Sequence, residues 1–243
     1  MSIQQILSDL AGHLEALRED GVKRVNVSRE TLEALGRGVN TPLPDPRRRL
    51  EKIAARIARC TLCPLHSTRT NTVPGQGNPA PEIMFIGEAP GEDEDLQGLA
   101  FVGRAGQLLT RMIERMGLTR DEVFIANILK CRPPDNRKPL PEETSCCLPY
   151  LREQVAILNP RVIVALGGTA VHGLLGLETG ITRMRGKWMS FNGIDLMPTF
   201  HPSYLLRVPS ARHDTWSDML AVLTKLGKPL PKPGTRSGEA SGA

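Results

Sequence analysis

From Glu82 onward the chain alternates short apolar runs with stretches of helical periodicity, and no other feature restricts its fold as much. Strands are predicted at 82–86, 123–128 and 161–166, and helices at about 105–116, 142–158 and 169–175. Such alternation implies a parallel sheet flanked by helices, an α/β architecture. Lys187–Phe191 and Ile194–Phe200 flank Asn192-Gly193, a strong signal for a two-residue type I′ hairpin. Trp216, Met219, Leu220 and Leu223 mark the buried face of a last helix over Thr215–Leu226.

The 243 residues fit one larger domain with extensions. Ile3, Ile6, Leu7, Leu10, Leu14 and Leu17 predict an amphipathic helix, and a second short helix is expected from Ser28 to Gly36 or Gly38. Together with the proline-rich linker Thr41–Pro46 they make residues 1–46 an N-terminal extension. Arg47-Arg48-Arg49 then opens a helix carrying Leu50, Ile53, Ala54 and Ile57 into a main domain expected over 47–227. Residues 228–243, rich in Pro, Gly, Ser and Lys, read as a disordered tail.

A net charge of +5 and a pI near 9.1 suit an anionic partner such as nucleic acid. No stretch reaches the roughly 18 apolar residues of a membrane span. The N-terminal segment lacks a signal-peptide core, so a cytoplasmic protein is expected. The chain has neither a Walker-type phosphate loop nor a dinucleotide fingerprint, which argues against nucleotide hydrolysis by the usual routes.

Gly87-Glu88-Ala89-Pro90-Gly91-Glu92-Asp93-Glu94-Asp95 follows directly on the buried run Ile83–Ile86. Ligands of open α/β sheets bind beyond the carboxyl ends of strands, so this loop is a candidate active-site edge. Asn127 ends the next strand at the same edge, where its amide can both donate to and accept from a planar heterocycle. Only 4% of the residues are aromatic, so Phe101, in a nearby loop, is informative: it can pack in the core or stack on a base. Arg132–Pro139 is a basic loop that can follow phosphates or serve as a solvated connection. His201-Pro-Ser-Tyr-Leu-Leu-Arg207 reads as a wedge, with exposed leucines to enter a base stack and a cation to hold phosphate.

Five cysteines without a secretion signal point to metal or free thiols rather than disulfides. Cys60-Thr-Leu-Cys63 forms one pair, and Cys131 with Cys146 or Cys147 forms another. Four thiolates drawn from two places suit tetrahedral zinc or a four-iron cluster, and spacing alone does not choose between them.

Four ordered motifs closely resemble the family 4 uracil-DNA glycosylases: Gly87–Asp95, Gly98-Leu-Ala-Phe-Val-Gly103, Asn127-Ile-Leu-Lys-Cys-Arg-Pro-Pro134 and His201–Arg207. The likeness runs from about Cys60 to Leu226. It implies a three-layer αβα fold with a four-stranded parallel central sheet and a [4Fe-4S] cluster on Cys60, Cys63, Cys131 and Cys147, leaving Cys146 unbound. By position, Phe101 would stack on a flipped uracil, Asn127 would read its Watson-Crick edge and His201 would face O2. Backbone near Glu88, Ala89 and Gly91 would complete the pocket, Glu94 would lie near the C5 edge, and Leu205, Leu206 and Arg207 would engage the DNA. The implied reaction hydrolyses the N-glycosidic bond of uracil in single- or double-stranded DNA. A monomer is expected. Ala89 stands where the best-known uracil glycosylases carry a water-positioning aspartate, and Glu88 is assigned to that task or to electrostatic support of the sugar cation. The loop from Cys131 to Cys147 lacks the Lys-Arg-Arg-Ile-His insertion of relatives that bond covalently to DNA, so ordinary turnover is expected.

Two other readings compete. Glu92, Asp93, Glu94 and Asp95 could bind Mg²⁺ in a phosphoesterase, or the chain could bind DNA without turnover.

Overall fold

Apolar runs with no polar alternation form strands that need cover on both faces, and the sheet is built on such runs. The computed structural model describes residues 45–231. Helix α1 (Pro46–Ala58) is followed by the short β1 (Gln76–Gly77) and by β2 (Ile83–Gly87). Next come α2 (Glu92–Gln97), α3 (Arg104–Arg115), β3 (Phe124–Asn127), α4 (Pro141–Leu158) and β4 (Val162–Leu166). The chain continues through α5 (Gly168–Leu175), α6 (Ile181–Met184), β5 (Met189–Phe191), β6 (Ile194–Thr199), α7 (Pro202–Arg207) and α8 (Arg212–Leu226). These residues belong to one compact unit that opens at Pro46. The helices expected within residues 1–46, and the tail beyond 231, lie outside the described residues.

The sheet order is β1-β3-β2-β4-β6-β5. Its four inner strands run parallel, while β1 and β5 pair antiparallel at the edges. The expected parallel sheet is therefore present, with an antiparallel strand added on either side. β5 and β6 form the hairpin predicted at Asn192-Gly193, whose φ values of 50° and 80° give the left-handed turn that Asn and Gly tolerate.

Alternate strand residues feed two separate cores. Met84, Ile86, Ile163 and Ala165 pack with Ile53 and Ile57 of α1, Leu151 and Val155 of α4 and Val171 of α5. Ile83, Phe85, Val162 and Val164 pack on the other face with Leu109 and Ile113 of α3 and Met219 and Leu223 of α8. This is a three-layer αβα arrangement.

From β2 the chain steps outward to β3, then returns across β2 to β4 and continues to β6. The connections diverge between β2 and β4, which opens a crevice at the carboxyl ends of the parallel strands. Two elements differ from the sequence reading. The acidic run forms α2, because carboxylates in a first turn are favoured by the helix dipole. Residues after His201 form α7, where Pro202 suits a first helical position. Among the described residues no helix is long and apolar enough to cross a membrane.

Candidate active site

The four parallel strands end around one cleft of about 1220 Å³. β2 supplies Glu88, Ala89 and Gly91 from the residues that follow it, β3 supplies Asn127, β4 is followed by Gly167, and β6 leads to His201. Gly87 and Asn127 are register partners at the last rung of the β2–β3 ladder, so the two loops begin side by side. Phe101, Glu94 and Arg207 also line the cleft, while Leu205 and Leu206 do not.

Asn127 is 1% exposed, and its Oδ1 is the one buried side-chain oxygen or nitrogen without a hydrogen-bond partner among the described residues. An unmatched buried acceptor costs about 1–3 kcal/mol, so its retention marks a place for a ligand donor. A Cβ on Gly87 would overlap both this oxygen and the Phe101 ring, so glycine is required for the two groups to approach. Phe101 itself is 6% exposed and holds a φ of 53°, uncommon for any residue but glycine and asparagine. Phe101 packs in the core and also borders the cleft.

The His201 ring lies 5.7 Å from that of Phe101, centroid to centroid. Its Nδ1 accepts the Ser203 amide at 3.1 Å and lies 2.8 Å from Ser203 Oγ. With Nδ1 accepting, the neutral ring carries its proton on Nε2. Burial, and secondarily the charge of Arg207, push the His201 pKa down to about 4. His201 therefore presents a neutral N–H donor at physiological pH. Gly167, with φ of 91°, makes room for it: a Cβ there would come within 3.0 Å of the His201 Cβ.

The acidic run divides by partner. Glu94 accepts the amides of Gly91 at 3.0 Å and of Val102 and Gly103 at 2.8 Å each. Asp95 accepts those of Thr70 and Asn71 at 3.0 and 3.2 Å. Both side chains are buried, and Asp95 anchors the loop at residues 70–71. A carboxylate saturated by backbone amides is a poor magnesium ligand, which weakens the phosphoesterase reading. Glu88 is half-buried on the cleft wall, its backbone fixed by the Leu129 amide at 3.0 Å.

One wedge assignment needs correcting. Leu205 is 1% exposed and packs with Leu108, Phe200 and Ala211, because α7 turns that side chain inward. Leu206 is partly exposed and Arg207 exposed. The basic loop is also less free than it looked, since Arg137 pairs with Glu143 and Arg132 with Asn136 and Glu92. Arg104, Lys138 and Arg207 line the cleft with no acidic partner within salt-bridge distance among the described residues.

All five thiols line a second, small apolar pocket between α1, the start of the loop after β3 and α4. No group of three or more His, Cys, Asp or Glu side chains is arranged to hold a single metal ion among the described residues. Burial, reinforced by neighbouring sulfurs, raises the pKa of Cys63 and Cys131 and pushes Cys147 up to about 12. Crowded, buried thiols of this kind gain most from a cation that takes them as thiolates. The Lys130 amide points at Cys147 Sγ from 3.2 Å and Arg69 Nη1 at Cys131 Sγ from 3.3 Å, donors that suit coordinated sulfur. The donor set fits an iron-sulfur cluster.

Several contributors were not read from the sequence. Gly167-Gly168 follows an apolar run just as Gly87 does, and that signal could have found them. Ser203 and the fully buried Lys130 gave none. Lys130 Nζ donates to the Asn127 carbonyl and to Gln154 Oε1, both at 2.8 Å, a contact that only the fold creates.

A sheet of four parallel inner strands whose ends border a cleft with an orphaned amide acceptor, an aromatic wall and a neutral histidine defines a nucleobase-binding α/β protein. The chain belongs to the uracil DNA glycosylase superfamily, whose family model matches residues 74–224. It is 50% identical to the type-4 uracil-DNA glycosylase of Thermotoga maritima over 162 residues, 65% of this chain and 83% of the relative. Identity to the type-4 enzyme of Archaeoglobus fulgidus is 44% over 190 residues, 75% of this chain and 96% of the relative. The Sulfurisphaera tokodaii type-4 enzyme shares 48% over 172 residues, 67% and 78% of the two chains.

Proposed function

We propose that this cleft takes uracil flipped out of DNA and hydrolyses its N-glycosidic bond, leaving free uracil and an abasic site. Uracil excision is the activity named for the type-4 relatives. The observation that carries the assignment to this site is the unpartnered Oδ1 of Asn127 beside the Phe101 ring.

Uracil presents N3–H to that oxygen, while Asn127 Nδ2 donates to O4. Cytosine reverses both polarities, having no proton on N3 and an amine at C4, so it would meet acceptor with acceptor and donor with donor. Phe101 stacks on the base. Glu94 shapes the slot by holding Gly91 and the turn at 102–103, and Ala89 and Gly91 bring small side chains and backbone to its wall.

As the bond breaks, negative charge grows on the base and positive charge on the sugar. His201 Nε2–H donates to O2, and its depressed pKa keeps it a neutral donor throughout. Glu88 faces the sugar side, where its carboxylate stabilises the cation and orients the attacking water. Arg104, Lys138 and Arg207 hold flanking phosphates, and Leu206 fills the space the base vacates; Leu205 supports it from the core.

Cys60, Cys63, Cys131 and Cys147 hold a [4Fe-4S] cluster, which when bound ties α1 to β3 and α4 and takes no part in bond cleavage. The protein acts as a monomer on single- or double-stranded DNA in the cytoplasm.

The test incubates the purified protein in EDTA with single- and double-stranded oligonucleotides bearing uracil or thymine, then treats them with alkali. Strand breaks at uracil only are expected. No abasic product from any uracil substrate would end the glycosylase reading, and tight binding without base release would favour a non-catalytic module.

A further inference from the structure

We propose that Arg120 is a positioning residue for base binding, holding the Phe101 platform in place. The inference rests on the reading of Phe101 as the surface that stacks on uracil. Phe101 sits at a φ of 53°, a region that side chains with a Cβ leave unless the surroundings fix them. Arg120 comes from the turn before β3 and reaches back across the loop. Its Nη2 donates to the Ala100 carbonyl at 2.7 Å, and its Nη1 to the Phe101 carbonyl at 3.1 Å and to Thr110 Oγ1 at 3.0 Å. Thr110 Oγ1 donates in turn to the Gly106 carbonyl at 3.0 Å.

Glu94 grips the same loop from its other edge, taking the amides of Val102 and Gly103. The carbonyls of 100 and 101 thus end on a cation, and the amides of 102 and 103 on an anion. Gly106 closes the arrangement, because a Cβ there would overlap the Phe101 carbonyl. Two carbonyls and a hydroxyl lie within reach of one planar guanidinium, a geometry that the single nitrogen of lysine reproduces only in part. Arg120 is absent from the cleft lining, so its influence on the base passes through Phe101.

The experiment compares Arg120→Met, Arg120→Lys, Phe101→Leu and the Phe101→Leu/Arg120→Met double variant in inhibition by free uracil, kcat/KM on a uracil oligonucleotide, and melting temperature. Arg120→Met is expected to weaken uracil inhibition about 10-fold, Arg120→Lys to recover part of it, and Arg120→Met in the Phe101→Leu background to cost under about 2-fold. An equal loss in both backgrounds, or unchanged uracil inhibition in Arg120→Met, would overturn the proposal. Phe101→Leu with normal uracil inhibition would instead remove the stacking reading itself. Should Arg120→Met fail to fold, Arg120→Lys in the two backgrounds gives the same decision.

Discussion

The backbone amide of Ser203 donates to Nδ1 of His201 across 3.1 Å, and this contact decides which nitrogen of the ring meets the substrate. Burial, and secondarily the charge of Arg207, hold the pKa near 4. The folded value lies below the ordinary 6.5, so the unfolded chain takes up the extra proton first. The stability tied to neutral His201 is therefore complete above about pH 6.5 and is lost as pH falls toward 4. Single-turnover excision should stay level from pH 8 to about 5 and drop with a midpoint near 4. An acid limb centred near 6.5 would show that His201 is not the neutral donor. Ser203→Ala removes the hydroxyl contact but not the amide, and a loss in kcat/KM of about 3- to 10-fold is expected.

Asn127 keeps an unmatched acceptor in the ligand-free protein, so function and stability pull against each other there. Asn127→Leu removes the unmatched oxygen at similar volume. The melting temperature should hold or rise, by up to about 1 kcal/mol of stability, while kcat/KM falls by at least about 100-fold. A large drop in both would mean that the amide is a structural group.

Gly87→Ala pushes a methyl group into Asn127 Oδ1 and the Phe101 ring at once. Both reading groups would shift, and displacements of about 1 Å cost on the order of 100-fold. Circular dichroism should show an intact fold while uracil inhibition is lost; wild-type inhibition would mean that the two groups need not approach so closely.

What the sequence revealed and what it hid separate along physical lines. β2 and β4 were legible because a strand covered on both faces must be apolar at every position, and the hairpin because Asn192-Gly193 has few other uses. Asn127 was legible because a polar residue closed an apolar strand. Leu205 and Leu206 looked equivalent, and only the rotation of α7 buries one and leaves the other at the surface. The anchoring role of Asp95 was hidden because its partners, Thr70 and Asn71, lie 25 and 24 residues away. Arg120 and Lys130 were silent for the same reason: each acts on main-chain carbonyls, which carry no side-chain signature.

Adjacent Cys146 and Cys147 pose a choice that the surroundings of each sulfur address. Cys147 is buried and its sulfur receives the Lys130 amide, as a coordinated thiolate requires. Cys146 is half-exposed, and no hydrogen bond to its sulfur is seen among the described residues. Cys146→Ser should therefore leave iron and acid-labile sulfide per protein unchanged and alter stability by no more than about 0.5 kcal/mol. Cys147→Ser should lose most of the iron and at least about 3 kcal/mol, since a buried hydroxyl replaces the ligand and α4 is no longer tied to the loop after β3. Iron retained in Cys147→Ser but lost in Cys146→Ser would exchange their roles. A wild-type protein holding zinc without iron or sulfide would keep the thiol set and replace the cluster.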